Sequence, residues 1–326
     1  MTRSIPDLGA RRGGGLLPAL LLMLAALAAA CGGGGASSAP VDRAGEEASG
    51  GFPITITDSS DADLLIATEP QRIISYSPAA TEILFAIGAG DRLIAADRFS
   101  DYPARAEALP KLEYSNPDPE AALAHEPDLL LFATRQREQL QQFRDLGMAV
   151  LMIEEAESIE GVYENIRLFG ELTGEAQAAE DLVASMRARI EAVTAALADV
   201  EQGPRVFYEI TPGLFTAAPN TFQGGMLSAL KAQNIADGAL SQYPQLGAEA
   251  VIEADPEVVL LADSEQFGRG SESAEIVAAR PGWAGVSAVV NGRVYPINSD
   301  FIDRAGPRIA EGIEALARVL YPDRFE

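Results

Sequence analysis

A chain of 326 residues with 48% hydrophobic and 22% charged side chains has the length for two domains of ordinary size and the polarity of a folded globular protein. Its 24 basic against 48 acidic side chains give a net charge of −24, which repels phosphate backbones and sets nucleic acid aside as a partner. One histidine and one cysteine leave little for a transition-metal centre, and no cofactor is expected as a resident part of the protein.

The first 30 residues read as an export signal: Arg3, Arg11 and Arg12 precede an apolar run from Leu16 to Ala30, interrupted by Pro18. The run falls short of the roughly 20 residues a membrane-spanning helix needs. Small residues then lead into Cys31 and four glycines, which resembles a bacterial lipoprotein signal in which Cys31 becomes the lipidated first residue. Ala28 stands three places before Cys31, where leucine is commoner, so a free thiol after an ordinary cleavable leader is the alternative. The Arg11-Arg12 pair is followed by glycines and matches twin-arginine export poorly. Residues 31–51, made of Gly, Ala, Ser and acids, form a flexible tether.

The folded body begins near Phe52. Ile54 to Thr68 carries two alternating apolar runs parted by Asp and Ser, the signature of a hairpin and a candidate flap. Residues 52–172 then alternate strand and helix as an N-terminal lobe. The strand Arg72 to Tyr76 is followed by a helix from Pro78 to Ile87, with Ser77 as its cap. The strand RLIAA, a helix from Glu120, the strand LLLF, a helix near Gln136 to Leu146 and the strand AVLMI complete it. Within the bridging segment 173–201, residues 175–200 hold neither Gly nor Pro, enough for a helix of about 39 Å. Leu182, Met186, Ile190, Val193, Leu197 and Val200 give it one apolar stripe. Residues 202–326 resume the alternation as a C-terminal lobe: strand Arg205 to Ile210, a helix, strand VVLLA, a helix around Ser273 to Ala279, strand RVYPI and a helix from Pro307 to Leu320. The predicted fold is α/β, two doubly wound lobes bridged by one long rigid helix that hinges stiffly.

The lobes share a repeated unit. EAALAHEPDLLLFA at residues 120–133 recurs as EAVIEADPEVVLLA at residues 249–262, each reading as helix, turn and buried strand, and each opened by a glutamate, Glu120 or Glu249. Matched carboxylates on matched lobes suggest a symmetrical docking surface, although a first-turn glutamate that only complements the helix dipole is the plainer reading. His125, inside the first copy, reads as a surface residue. No nucleophile elbow, phosphate loop, dinucleotide loop or zinc-protease helix is present, and no catalytic cluster is visible, so the chain is not expected to be an enzyme.

Aromatic residues are only 6% of the chain, yet Phe99, Tyr102, Tyr114, Phe215, Tyr243 and Phe301 fall where strands end and loops begin. Such loops face the crevice where doubly wound sheets bind ligands. Arg304, in SDFIDRAGPRI, would add a cation there, unless it pairs with Asp300 or Asp303.

The run PQRIISYSPAATEILFAIGAGDRLIAADRFSDYP, the two Glu-led repeats, RPGWAGVSAVVNGRVYPI and SDFIDRAGPRI together resemble the substrate-binding proteins of bacterial ATP-driven importers for iron-siderophores, haem and vitamin B12, nearest to the cobalamin binders. The likeness covers about Thr55 to the C-terminus. It implies two α/β lobes joined by one long helix, and no catalysis. It implies that Glu120 and Glu249 dock on arginines of a membrane permease, which works with its ATPase. It implies that Phe99, Tyr114, Phe215, Tyr243 and Phe301, with Arg304, clasp the ligand. At positions where tryptophans are used there, this chain has Tyr114, Tyr243 and Ala133; its only tryptophan, Trp283, lies in a motif that looks structural. A corrinoid is the preferred ligand and an iron chelate or haem the alternative, Arg304 being the clear cation and Arg98 a further one. The expected protein is a monomer, exported and lipid-anchored at Cys31 in the cell envelope. A ligand sensor with a membrane partner would share the same features.

Overall fold

Apolar runs without alternation, such as IISY, LLLFA and VVLL, bury both of their faces, and each lies inside a sheet covered on both sides. The computed structural model describes residues 51–325. The leader, Cys31 and all but the last residue of the tether lie outside the described residues.

The chain enters through an antiparallel hairpin of β1 (Ile54–Thr57) and β2 (Asp63–Ile66). The first lobe is a five-stranded parallel sheet of β3 (Ile73–Tyr76), β4 (Leu93–Asp97), β5 (Lys111–Leu112), β6 (Leu129–Ala133) and β7 (Val150–Ile153), in the order β5-β4-β3-β6-β7. The order reverses between β3 and β6, so a crevice opens beyond their carboxyl ends. The second lobe has β8 (Arg205–Thr211), β9 (Phe215–Thr216), β10 (Gln233–Asn234), β11 (Val258–Leu261) and β12 (Val294–Pro296). Its parallel order is β10-β8-β11-β12, with β9 antiparallel to β8.

Between the sheets run helices Ile159–Leu172 and Ala176–Ala196. At 21 residues the second is about 32 Å long, shorter than the Gly- and Pro-free stretch that encodes it. It buries Ala179, Val183, Met186, Ile190 and Val193 and packs against both Ile159–Leu172 and the C-terminal helix Ile309–Leu320. Arg189 fastens that last contact, donating to both oxygens of Glu314 at 2.8 and 2.9 Å. Each lobe has an outer core of its own, and Trp283 lies in that of the second. The largest buried cluster, however, runs from Ile73 and Leu129 through Phe169, Met186 and Ile190 to Tyr208, Leu260 and Ile313. The described residues accordingly belong to one compact unit, and the lobes are joined by core as well as by chain.

The expected flap is pinned. Asp58, in the hairpin turn, accepts from the Met152 amide of β7 at 3.0 Å and from Arg144 at 2.6 Å, while the Ser59 amide donates to the Met152 carbonyl. These bonds tie the hairpin to a sheet edge and cover that edge.

The repeat extends beyond what its letters show. Helices Pro119–Leu123 and Ala248–Ala254 both run into a non-glycine residue with positive φ, Glu126 at 50° and Asp255 at 44°, directly before a proline. A left-handed backbone at such residues needs local support. It comes from equivalent arginines at the two strand starts: Arg72 donates to the carbonyls of His125 and Glu126, Arg205 to those of Ala254 and Asp255. Asp128 and Glu257 in turn accept the backbone amides of Arg72 and Arg205 at 2.9 and 3.0 Å. The two lobes therefore present Glu120 and Glu249 from the same local frame.

One part of the second lobe is electrostatically unbalanced. Glu209, fully buried, and Glu272 share Arg280, which donates to both Glu209 oxygens at 2.7 and 2.9 Å and to Glu272 at 2.6 Å. Asp263 is buried nearby with no hydrogen-bond partner for either carboxylate oxygen among the described residues. Burial pushes the Glu209 carboxyl up to about 7 and that of Asp263 up to about 6. Both acids hold protons more tightly folded than unfolded, so their contribution to stability is present below about pH 4 and is lost as pH rises towards 7. Asp263→Asn cannot lose that proton. Its stability relative to the parent is expected to grow by about 1 to 2 kcal/mol between pH 5 and pH 8 in denaturant titrations; a constant difference would show that Asp263 is not titrating in the fold.

Candidate ligand-binding site

The crevice predicted by the strand order is a cleft of about 560 Å³ between the lobes. From the first lobe it is lined by Ser77 to Ala80, after β3, and by Ala133, Thr134 and Arg135, after β6. Residues Ile153 to Glu157, after β7, continue that wall. The second lobe contributes Thr221 to Gln223, Gln242, Tyr243 and Asp303 to Ala305.

Local bonds hold these walls. Ser77 caps the helix Pro78–Ala86 by accepting the Ala80 amide. The buried side chain of Gln136 accepts from the Ala133 amide at 3.2 Å and donates to the Tyr114 carbonyl at 3.1 Å, fixing the Tyr114 loop to the end of β6. Thr221 caps helix Phe222–Ala229 by accepting from Gly224. A Cβ on Gly224 would lie 2.2 Å from the Ala218 carbonyl oxygen, so only glycine lets the chain fold back tightly enough to set Gln223 in the wall.

Of the residues expected to clasp a ligand, the cleft brings together Tyr114, Tyr243 and Arg304. Tyr243 is 46% exposed, an open aromatic surface, and burial raises both phenols above their ordinary range. Phe99, Phe215 and Phe301 do not reach the lining. Phe99 stands behind Tyr114, ring centroids 5.3 Å apart and edge to face, under the Arg98 guanidinium. Phe215 sits in the short antiparallel β9, which turns it out along the sheet edge. Phe301 packs against Arg308, whose guanidinium lies between it and Tyr102, at 5.0 and 4.1 Å from the two rings. Tyr102 therefore serves that stack. Ala133, where the resemblance would have a tryptophan, does line the cleft and leaves room there.

Arg304 is not a free cation. It pairs with Asp300, as one reading of the sequence allowed, but its nearer partners come from the other lobe: Asp101 at 2.6 Å and Glu82 at 3.2 Å. Glu82 is buried and also accepts from Arg308 at 2.8 and 2.5 Å. Arg308, Arg304 and Glu82 thus form a clamp between the lobes at one side of the cleft. Arg135, the other guanidinium of the lining, donates to Glu155 at 2.8 Å.

Carboxylates outnumber these cations. Glu154, Glu155, Glu157 and Asp303 line the cleft with the two arginines, and none of the four figured in the sequence reading as a ligand contact. Asp303 accepts from the buried Tyr208 hydroxyl at 2.7 Å and from Gln223 at 2.9 Å, and burial raises its carboxyl above the usual range. Among the described residues no group of three or more His, Cys, Asp or Glu is placed to hold a metal ion, and no helix is long and apolar enough to cross a membrane.

Glu120 and Glu249 lie away from the cleft lining, both exposed in the first turns of their helices, and neither has an ion-pair partner among the described residues. Asp118 caps the first of these helices.

Comparison with known proteins agrees with this architecture. The family model described as "Periplasmic binding protein" matches residues 73–301. The "Uncharacterized ABC transporter substrate-binding lipoprotein YvrC" of Bacillus subtilis is 31% identical over 283 residues, 84% of this chain and 88% of that one. The "Cobalamin-binding protein" of Halobacterium salinarum is 30% identical over 289 residues, 86% of this chain and 78% of that one. The solved structure of the periplasmic haem-binding protein HutB of Vibrio cholerae is similar with a TM-score of 0.69 at 26% identity, over 77% of this chain and 99% of its own. With the family model covering both sheets and a relative of 31% identity spanning most of its length, this chain belongs to the periplasmic binding protein family.

Proposed function

We propose that this protein is the lipid-anchored substrate-binding component of an ATP-driven importer, and that it captures a corrinoid in its interlobe cleft and delivers it to the permease. The relatives span binders of cobalamin and of haem, so the cleft's own chemistry has to separate the ligands. The observation that carries the choice is the charge of the lining: four carboxylates against two guanidiniums, both already paired. Haem has two carboxylates and many ferric siderophores are anionic; each is better served by unpaired cations, which this lining lacks among the described residues. A corrinoid offers a broad, partly apolar ring edged with carboxamides, which suits Tyr114 and Tyr243 as stacking surfaces and carboxylates as acceptors. Lipid at Cys31 would hold the protein at the membrane surface while the tether lets the body reach the permease.

Removal of both aromatic surfaces tests this reading. The unaltered chain is expected to retain cyanocobalamin one to one on gel filtration, visible by its absorbance. The double variant Tyr114→Ala, Tyr243→Ala is expected to bind at least about 30-fold more weakly, given 1 to 3 kcal/mol for each flat stacking surface lost. Equal retention by both chains would put the ligand elsewhere.

A further inference from the structure

Asp303 is the one carboxylate of the cleft whose orientation is fixed from within the core. Tyr208 is fully buried, and among the described residues its hydroxyl reaches only Asp303 Oδ1, at 2.7 Å. Gln223, also buried, donates its Nε2 to the same oxygen at 2.9 Å and turns its own Oε1 towards the Tyr243 hydroxyl at 3.5 Å. Two donors thus converge on Oδ1, while Oδ2 has no hydrogen-bond partner and no salt-bridge partner among the described residues. Arg304, the next residue, turns away to Asp101 and Glu82, so Asp303 has no salt bridge among the described residues and feels the Arg269 and Arg135 guanidiniums only from a distance. The facing wall adds Glu154 and Glu157, for which no ion pair exists among the described residues, and Glu155, which is held by Arg135.

A carboxylate has no proton to donate, so an ionised Asp303 can offer the cleft only an acceptor. Its one open oxygen is held in place before any ligand arrives, which avoids the ordering cost of a flexible acceptor. From this geometry we infer that Asp303 Oδ2 is a specificity-determining acceptor that selects ligands with an N–H edge or a positive charge and rejects ligands that present carboxylates. The inference rests on the corrinoid reading and sharpens it: the contact is with a peripheral carboxamide N–H of the ring system. Tyr208 and Gln223 act through Asp303 as positioning residues. Their chain to Tyr243 ties the acceptor to the aromatic wall, so the same four side chains set both the stacking surface and the polar anchor.

The test compares the full chain with Asp303→Asn, Asp303→Ala and Tyr208→Phe, titrating each with cyanocobalamin and with haem. Asparagine keeps the size and can still meet Tyr208 with its oxygen, but turns the open group from acceptor into donor. Cyanocobalamin is expected to bind Asp303→Asn and Asp303→Ala about 10- to 100-fold more weakly, as for loss of a hydrogen bond to a charged group. Tyr208→Phe, which leaves the acceptor but frees it, is expected to cost about 3- to 10-fold. Haem affinity should rise in Asp303→Asn. Unchanged cyanocobalamin affinity in both Asp303 variants, with the parent binding normally, would overturn the role of Asp303 and leave the corrinoid reading standing. A parallel loss for both ligands would mark Asp303 as structural and also overturn it. A parent chain that binds haem and not cyanocobalamin would overturn both.

Discussion

Glutamine in place of Glu82 is expected to lower the free energy of unfolding by about 3 to 5 kcal/mol, the cost of removing one partner from a buried ion pair. Glu82 lies in the first-lobe helix Pro78–Ala86, and its side chain is 2% exposed. It accepts two bonds from Arg308 and one from Arg304. Arg308 is itself buried, sandwiched by Tyr102 and Phe301, and has no other carboxylate within ion-pairing distance among the described residues. Neutralising Glu82 strands a guanidinium in the core, whereas replacing Glu82 and Arg308 together with leucine and methionine removes both desolvated charges and should restore much of the loss. Urea titration checks this: the midpoint falls at an unchanged slope for the single variant and recovers in the double one. A loss below about 1 kcal/mol for Glu82→Gln would mean that the clamp is solvated and gives no more than a surface pair.

Alanine at both Glu120 and Glu249 is expected to cut ligand uptake by more than about tenfold while ligand affinity stays within about twofold, since rim charges act chiefly on encounter and docking with a partner. Each glutamate is exposed, without an ion-pair partner among the described residues, and carried on a helix whose end is built the same way. Neither lines the cleft proposed to hold the ligand, so ligand affinity is expected to be little changed. Uptake by proteoliposomes containing the permease and its ATPase, alongside ligand titration of the same variants, separates the two effects. Normal uptake by the double variant would remove these glutamates from docking. If both lobes dock as proposed, a single substitution is expected to give only a partial loss.

Most of the fold is legible in period and punctuation. The buried strands appear as unbroken apolar runs, and Ser77-Pro78 marks the helix start that the structure has, Pro78–Ala86. Other elements were hidden by glycine. Helix Ile159–Leu172 carries Val162, Tyr163, Ile166 and Phe169 at helical spacing behind the cap Ser158, but Gly161 and Gly170 break its outline. Gly170 is there for packing, since a Cβ would lie 2.5 Å from that of Ala179 on the adjoining helix. Helix Phe222–Ala229, with two glycines of its own, was equally hard to see.

The site was legible only in part, for reasons of distance. Local position placed Tyr114, Tyr243 and Arg304 at the crevice. What Arg304 does there depends on Glu82 and Asp101, more than 200 residues away along the chain, and no local pattern reports such a pairing. Asp303 looked like a neighbour available to neutralise Arg304, yet the turn Ser299–Phe301 and the residues after it send the two side chains apart, Arg304 to the first lobe and Asp303 to Tyr208 and Gln223. The aromatics Phe99, Phe215 and Phe301 sit at strand and loop ends as expected, but rotamer and packing turn them to Tyr114, to the sheet edge and to Arg308. The repeat, by contrast, understated the symmetry, because Arg72 and Arg205 lie outside its letters and still complete the same cap.

The most direct test of corrinoid capture is calorimetric titration of the purified chain with cyanocobalamin, cobinamide, haem and a set of ferric siderophores. Saturable one-to-one binding of the two corrinoids at micromolar affinity or tighter, with no comparable heat from the carboxylate-bearing ligands, is the expected result. Saturable binding of haem or a ferric siderophore alone would contradict the account, because the paired arginines and open carboxylates of the cleft would then have to accept an anion.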